Sequence, residues 1–367
     1  MKLGFEVSSI SGGNNTGIAR YINNVINKIS REKNIDINLL YKISREKGKL
    51  YSSEYLKNIK TVSYYNNILP IFKPDLDIIH GLDGYIPNWK RCKKLVTIHD
   101  IRVIKFAKDH ISSYKYRKRK EDLYRKVFKY VDAIITVSQT TKDDIVEYFN
   151  LNPDRVVKVH LGINEKFLSY NERNMNKDSI INKYSIKKPY LLYVGAISKQ
   201  KNTARLVEAF LTCDFKKDFD LILVGPKSFG YEETLNAIDK YNGTNIIKLL
   251  GFVSDDDLIT LYANSEGFLF PTIYEGFGFP VLEAMALGIP VLTSNIGAVS
   301  EIDGGYGIKV DPYSVHEIRI GIDKLVNFDK KLSDQMVQHA KGFTWDKTIK
   351  EYSNIYKRIS GYTTLDN

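Results

Sequence analysis

Short apolar runs alternate with amphipathic helical stretches along this chain, and the alternation stops once and begins again. Residues 3–7 form the first apolar run, and 18–30 follow with Ile18, Tyr21, Ile22, Val25, Ile26 and Ile29 on one helical face. Further apolar runs lie at 37–40, 76–80, 95–98, 133–137 and 156–160. Residues 169–188 are polar and turn-rich. Beyond them the pattern restarts, with strands expected at 190–194, 221–224, 246–249, 267–270 and 290–293 and helices at 203–212 and 231–241. Ser254 ahead of Asp255, Asp256 and Asp257 is an N-cap with acids in the first helical turn. Alternation of this kind builds parallel sheets covered by helices, so the chain reads as two α/β domains. A length of 367 residues suits two cores better than one. The expected division is 1–168 for the first domain, 169–188 for a linker and 189–349 for the second. In open parallel sheets ligands bind beyond the carboxyl ends of the strands, so the loops leaving strands are where function is sought.

Composition narrows the classes. Two cysteines, Cys92 and Cys213, give neither a disulfide framework nor metal-ligand spacing, which makes a reducing compartment and a cytoplasmic setting the expectation. The opening Met-Lys-Leu-Gly-Phe-Glu-Val carries a Glu in its apolar run and reads as a strand, not a signal peptide. No apolar run approaches the roughly 18 residues needed to span a bilayer. The net charge of +11 is unevenly spread: residues 1–170 hold 31 basic and 18 acidic side chains, and the remainder is close to neutral. A basic half suits an anionic partner. Its densest run, 114–130, carries Lys115, Arg117, Lys118, Arg119, Lys120, Arg125, Lys126 and Lys129 with Leu123, Tyr124, Val127 and Phe128 on the opposite side of a helix. That pattern is either a solvated face or a surface drawn to anionic lipid.

The chemistry concentrates at residues 271–294. Glu275 and Glu283 are eight apart, but Gly276-Phe277-Gly278-Phe279-Pro280 between them excludes one continuous helix. Glu275 is therefore expected on a loop and Glu283 in the helix that follows. Such a site offers backbone N–H groups at a helix N-terminus to a phosphate and two carboxylates to neutral hydroxyls. A nucleotide diphosphate sugar presents both, an anion between two polyols. Other strand-end loops add candidates. Gly13 and Gly17 lie between the first strand and the first helix, without the Gly-x-Gly-x-x-Gly spacing of a dinucleotide site. His99 and Asp100 end a strand, with a strand-end Asp also serving commonly as a cap. Lys201 precedes a helix and suits a phosphate as a point charge. Val253, after a strand, suits a base edge or ordinary packing. Asp75-Leu76-Asp77 has the look of a metal-binding pair, but it opens the apolar run 76–80 and reads as a strand start.

The Glu275/Glu283 stretch resembles the Glu-x7-Glu motif of retaining family 4 glycosyltransferases with the GT-B fold, and the resemblance spans nearly the whole chain, most strongly 190–312. It implies two Rossmann-like domains facing across a cleft, with a last helix near 350–367 crossing back to the first domain after Trp345. It also implies roles. Glu283 would bind the ribose hydroxyls and Glu275 the hexose hydroxyls. Phe277, Gly278 and Phe279 would offer backbone groups to sugar and phosphate, with Val281 and Leu282 at the phosphates. Lys201 would bind the diphosphate, Gly13 and Gly17 would lie over it, and His99 would face the sugar. Asp100 would help to position the acceptor and Val253 would touch the base. Many members carry an Arg just after the glycine equivalent to Gly195 or just before the Lys; here Ala196 and Gln200 stand there.

The implied reaction is hexose transfer with retention, by front-face attack, to a glycan or lipid-linked hydroxyl, with no cofactor and no metal. The opening Gly17-Ile-Ala-Arg-Tyr21 resembles mannosyltransferases of surface polysaccharide assembly, which favours mannose and leaves glucose, galactose and rhamnose open. A peripheral position on the inner face of a membrane is the matching location. Two alternatives stand beside this reading: a nucleic-acid-binding protein using the basic half, and a GT-B regulatory partner with little activity.

Overall fold

A computed structural model describes residues 1–10, 17–32, 34–42, 61–65, 74–106, 114–170 and 177–361. The chain divides into two compact units. The first comprises Met1–Ile104, Ser113–Gly162 and Thr344–Asn367. Its strands β1 (Lys2–Glu6), β2 (Asp36–Lys42), β3 (Thr61–Tyr65), β4 (Ile78–Gly81), β5 (Lys93–Ile98), β6 (Ala133–Thr136) and β7 (Val156–Lys158) form one sheet in the order β3-β2-β1-β4-β5-β6-β7. All neighbouring pairs are parallel. Helices α1 (Gly17–Ile29), α2 (Arg102–Lys105), α3 (Tyr114–Val127), α4 (Gln139–Phe149) and a terminal helix (Trp345–Ser360) complete it. The apolar face read for α1 is the buried one: Tyr21, Ile22, Val25, Ile26 and Ile29 are inside.

The terminal helix is capped by Thr344, whose hydroxyl accepts the Lys347 N–H, and it buries Trp345, Ile349, Tyr352 and Tyr356 in the first unit. Its contacts are polar as well as apolar. The Tyr21 hydroxyl lies 2.9 Å from that of Tyr352 and 3.0 Å from Thr97 Oγ1. His80 Nε2 meets the same Thr97 oxygen at 2.8 Å, and Nδ1 meets the Tyr356 hydroxyl at 2.7 Å. Burial, with the nearby His99 second, pushes the His80 imidazole down to about 3, so it is neutral. The hydroxyls of Tyr21, Thr97, Tyr352 and Tyr356 and both His80 nitrogens thus satisfy one another, the condition under which such groups can be kept from water.

The second unit comprises Lys105–Ser112 and Ile163–Phe343. Its strands β8 (Tyr190–Val194), β9 (Asp220–Val224), β10 (Ile247–Gly251), β11 (Gly267–Phe270), β12 (Val291–Ser294) and β13 (Ile308–Val310) run in the order β10-β9-β8-β11-β12-β13, again all parallel. Its helices are α5 (Glu165–Leu168), α6 (Lys177–Lys183), α7 (Thr203–Thr212), α8 (Tyr231–Lys240), α9 (Asp255–Ala263), α10 (Phe279–Ala286), α11 (Gly297–Ile302), α12 (Val315–Val326) and α13 (Ser333–Lys341). β8, β9, β11 and β12 are almost wholly buried, as strands covered on both faces must be.

The units divide at different points from those expected at 168, 169–188 and 349. Residues 163–168 belong to the second unit because Phe167 is buried against Tyr262, ring centroids 5.6 Å apart. The latter part of the expected linker packs as well: Lys183 and Tyr184 both bond Asp257 of α9. The return to the first unit comes at Thr344, because Trp345 and Ile349 are buried there. Asp75 and Asp77 hold Lys2, through its amine and its N–H, and so brace the sheet margin. Among the described residues no group of His, Cys, Asp and Glu has the makings of a metal centre. Among them too, no helix is long and apolar enough to cross a membrane.

Candidate functional site

In both sheets the strand order reverses direction beside the first strand, between β1 and β4 and between β8 and β11. Loops leaving the two strands on either side of such a point diverge and open a crevice. In the second unit those loops are 195–202 and 271–278, and they carry Lys201 and Glu275.

The two loops are tied together by consecutive residues. Gln200 Nε2 donates to the Tyr274 carbonyl at 2.8 Å, and the Gln200 carbonyl accepts the Ile273 N–H at 3.1 Å. The Lys201 amine donates to Glu275 Oε1, and Thr272 Oγ1 donates to the same oxygen at 3.3 Å. Asn202 Nδ2 donates to the carbonyls of Pro271, at 2.9 Å, and Pro312, at 2.6 Å. Asn202 adopts a left-handed conformation, φ 64°, which turns the chain into α7. The Lys201 and Glu275 side chains keep 17% and 13% of their surface, enough for a ligand to reach charges that are otherwise enclosed. Beneath them the Tyr193 phenol is buried and bonds the Ala196 carbonyl at 2.8 Å; burial, and then the Glu275 charge, push it well above its usual range.

Beyond Glu275 the chain makes one tight turn into α10. Gly278 caps the helix at φ +109°. A Cβ there would stand 2.9 Å from Val299 Cγ1 and 3.1 Å from Ile302 Cδ1, so both conformation and space require glycine. Pro280 stands in the first turn, where a missing N–H costs nothing. Residues Val281–Ala286 are all buried, and Glu283 is the one charged side chain among them. The Tyr262 hydroxyl donates to Glu283 Oε2 at 3.3 Å. A carboxylate at 6% exposure is costly to bury, and the bond from Tyr262 offsets part of that cost. Phe277 is buried with its ring edge-on to Phe279 at 5.0 Å, which fixes the backbone of the turn.

The second unit thus sets Lys201 against Glu275 and carries Phe277, Gly278, Phe279, Val281, Leu282 and Glu283 in the turn and helix that follow. Val253 lies elsewhere on the same sheet margin, buried just after β10, while its neighbour Phe252 is 73% exposed. Lys199, a second positive charge on the β8 loop, has its amine 3.9 Å from Glu233 of α8. Sequence reasoning passed over Thr272 and Tyr262 and marked Gln200 only as standing where many members carry an Arg. Thr272 and Gln200 lie inside the stretches it singled out; Tyr262 carries no signal that distinguishes it from a core residue.

In the first unit His99 follows β5 and donates from Nε2 to the Leu82 carbonyl at 2.9 Å, which sets its tautomer. Its ring stands edge-on to Tyr21, centroids 4.6 Å apart. Asp100 accepts the Arg102 N–H at 3.0 Å in the turn that leads into α2. Gly17 begins α1; a Cβ there meets nothing within 4 Å among the described residues, so packing does not call for glycine. Gly13 lies outside the described residues. The basic run is α3, with Tyr124, Val127 and Phe128 buried and Tyr114 and Tyr116 exposed. Lys115, Lys118, Arg119, Arg125, Lys126 and Lys129 are exposed, with Lys118 and Arg125 paired to Asp122 and Glu121. Lys120 departs from the stripe: its amine lies 5.1 Å from the Tyr124 ring centroid.

Residues 176–343 match the family model "Glycosyl transferases group 1", and residues 17–167 match "Glycosyltransferase Family 4". O-antigen chain mannosyltransferase B of Escherichia coli is 28% identical over 288 residues, covering 77% of this chain and 74% of that protein. The serotype-specific mannosyltransferase WbdA of Escherichia coli is 30% identical over 65% of this chain, but the match spans only 29% of WbdA. Among solved structures, sucrose-phosphate synthase of Thermosynechococcus elongatus superposes with a TM-score of 0.76 at 16% identity, over 99% of this chain and 100% of that one. Anabaena HepE, in complex with UDP-glucose, gives 0.72 at 15% identity, over 98% and 100%. Likeness at such identities establishes a shared fold, the two-domain GT-B fold.

Proposed function

This chain belongs to the glycosyltransferases of group 1 and family 4, and we propose that it moves a hexose, mannose in the first instance, from a nucleotide diphosphate to a glycan or lipid-linked hydroxyl. The observation that carries the proposal is the joining of Lys201 and Glu275 at the reversal point of the second sheet, where the chain turns from Glu275 into α10.

The roles follow from the chemistry of each group. Glu283, held by Tyr262, accepts from ribose hydroxyls. The N–H groups of the first turn of α10 face the diphosphate, where the helix dipole favours negative charge. Lys201 gives up part of its bond with Glu275 to meet the phosphates, and Glu275 turns to the hexose hydroxyls. As the glycosidic bond breaks, charge builds on the leaving diphosphate, and Lys201 with the helix N-terminus stabilises it electrostatically. The acceptor attacks from the face the diphosphate leaves, so configuration is retained, and the departing phosphate takes the acceptor proton. His99, with Nε2–H committed to Leu82, keeps Nδ1 for the sugar-facing role that the family resemblance implies. Asp100 serves the acceptor side by fixing the turn into α2. No step requires a cofactor or a metal ion. The exposed stripe of α3 draws the enzyme to anionic lipid, each basic residue contributing about 1 kcal/mol near the surface. A nucleic-acid-binding role is not favoured, because both halves match glycosyltransferase models.

A panel of nucleotide diphosphate sugars, assayed for nucleotide release with and without EDTA, tests the proposal. One sugar nucleotide should be turned over, at the same rate in EDTA. Release from none of them would refute the activity. Release that EDTA abolishes and magnesium or manganese restores would refute the metal-free scheme.

A further inference from the structure

Three consecutive residues of the β8 loop each hold a different part of the β11 loop: Asn202 holds Pro271, Lys201 holds Glu275, and Gln200 holds the segment between them. Gln200 is 8% exposed and makes its contact twice, donating from Nε2 to the Tyr274 carbonyl and accepting the Ile273 N–H at its own carbonyl. Its amide is thus turned into the protein. The loop's other amine, that of Lys199, lies beside Glu233 on α8. Lys201 is therefore the cation of this loop that meets Glu275, and its placement relative to that carboxylate depends on how firmly the two loops are joined.

We infer that Gln200 is a positioning residue, holding the Glu275 loop in register with Lys201 through the Tyr274 carbonyl. The inference rests on the reading of Lys201 and Glu275 as sugar-donor residues. Gln200 itself touches no substrate. Without its amide the β11 loop keeps the backbone bond at Ile273 and loses the anchor next to Glu275. Glu275 then shifts against Lys201, while the α10 N-terminus and Glu283, beyond the turn at Gly278, stay in place. Nucleotide binding and turnover should for that reason separate.

The test uses Gln200→Met, which keeps the volume and removes the amide, beside Gln200→Arg, which keeps a group able to donate to the Tyr274 carbonyl. For Gln200→Met, kcat should fall on the order of 10- to 100-fold, the scale of a misplacement near 1 Å. Affinity for the nucleotide diphosphate, by calorimetry, should match the parent. Gln200→Arg should restore most of kcat. Should Gln200→Met fail to fold, Gln200→Glu, which sets an acceptor against the carbonyl, takes its place. Unchanged kcat, a parallel loss of nucleotide affinity, or no restoration by Arg would each overturn the inference. Glu275→Gln serves as the control. If it retains full turnover, the sugar-donor reading fails; if it loses turnover while Gln200→Met does not, the Gln200 inference alone fails.

Discussion

The two units share a sheet order and differ in what they place at the point where it reverses. In the second unit the loops beyond β8 and β11 are bound to each other by side chains, and the charged pair sits where they meet. In the first unit the strand at the same place, β1, ends in a buried Glu6 that accepts from the Tyr65 hydroxyl at 2.9 Å and from Ser8. That carboxylate is absorbed by its own unit. The polar investment of the first unit lies deeper, in the Tyr21, His80, Thr97, Tyr352 and Tyr356 network below His99. One unit uses its polar groups to join two loops, the other to hold a helix. One backbone plan therefore supports two uses, and side chains at the reversal point decide between them.

The largest effect expected from breaking this contrast is on Lys201. Lys201→Ala should lower kcat roughly 100- to 1000-fold, the cost of losing one preorganised group at developing charge. It should weaken a nucleoside diphosphate more than the monophosphate; equal losses would place Lys201 away from the distal phosphate. Next is Glu283→Ala. A hydrogen bond to a charged group contributes about 1.5–3 kcal/mol, so nucleotide affinity should fall about 10- to 150-fold in calorimetry, for mono- and diphosphate alike. An unchanged affinity would reject the ribose role. Gly278→Ala comes third. Its Cβ would press on Val299 and Ile302, an overpacking worth about 1–3 kcal/mol, and the loss should appear in the melting transition that nucleotide binding raises.

The last effect belongs to the first unit and is a pH dependence. His80 titrates near 3 in the folded protein and near 6.5 unfolded, so between those values the unfolded chain binds the extra proton. Its contribution to stability is complete above pH 6.5 and is lost as pH falls toward 3, at no more than about 1.4 kcal/mol per pH unit. Denaturant titrations from pH 8 to 5 should show it, and His80→Asn should flatten the acid limb while lowering stability at pH 8. An acid limb of the same slope in that variant would show that other groups carry it.

The second unit was the more legible in the sequence, and the reason is physical. Its candidate site is local: glycine, proline and glutamate at fixed offsets can satisfy a strand–turn–helix in few ways, so Glu275 on the loop and Glu283 in the helix followed from spacing alone. Strands β8, β9 and β11 were recognisable because burial on both faces demands unbroken apolar runs. β13 is three residues long and contains a lysine, too little for periodicity to register. The contacts that escaped are non-local. Tyr21 meets Tyr352 across 331 positions and His80 meets Tyr356 across 276, and no window of sequence contains both partners. Lys120 shows a milder failure. Composition placed it with its basic neighbours, whereas its spacing of four from Tyr124 puts it over an aromatic ring.

The terminal helix has a consequence for the order in which this protein can be made. A chain leaves the ribosome from its N-terminus, and domains generally fold as units when they are complete. The first sheet is translated early and includes Thr97, one partner of Tyr21 and His80, but their second partners are the hydroxyls of residues 352 and 356. Until those emerge, the first unit has a gap where its last helix will lie, with an imidazole and a phenol facing it. The second unit, contiguous from Ile163 to Phe343 but for the short segment Lys105–Ser112, is finished first. The first unit, begun before the second, is thus completed after it, and a nascent chain stalled before residue 345 should protect its second unit from protease while its first remains open to cleavage.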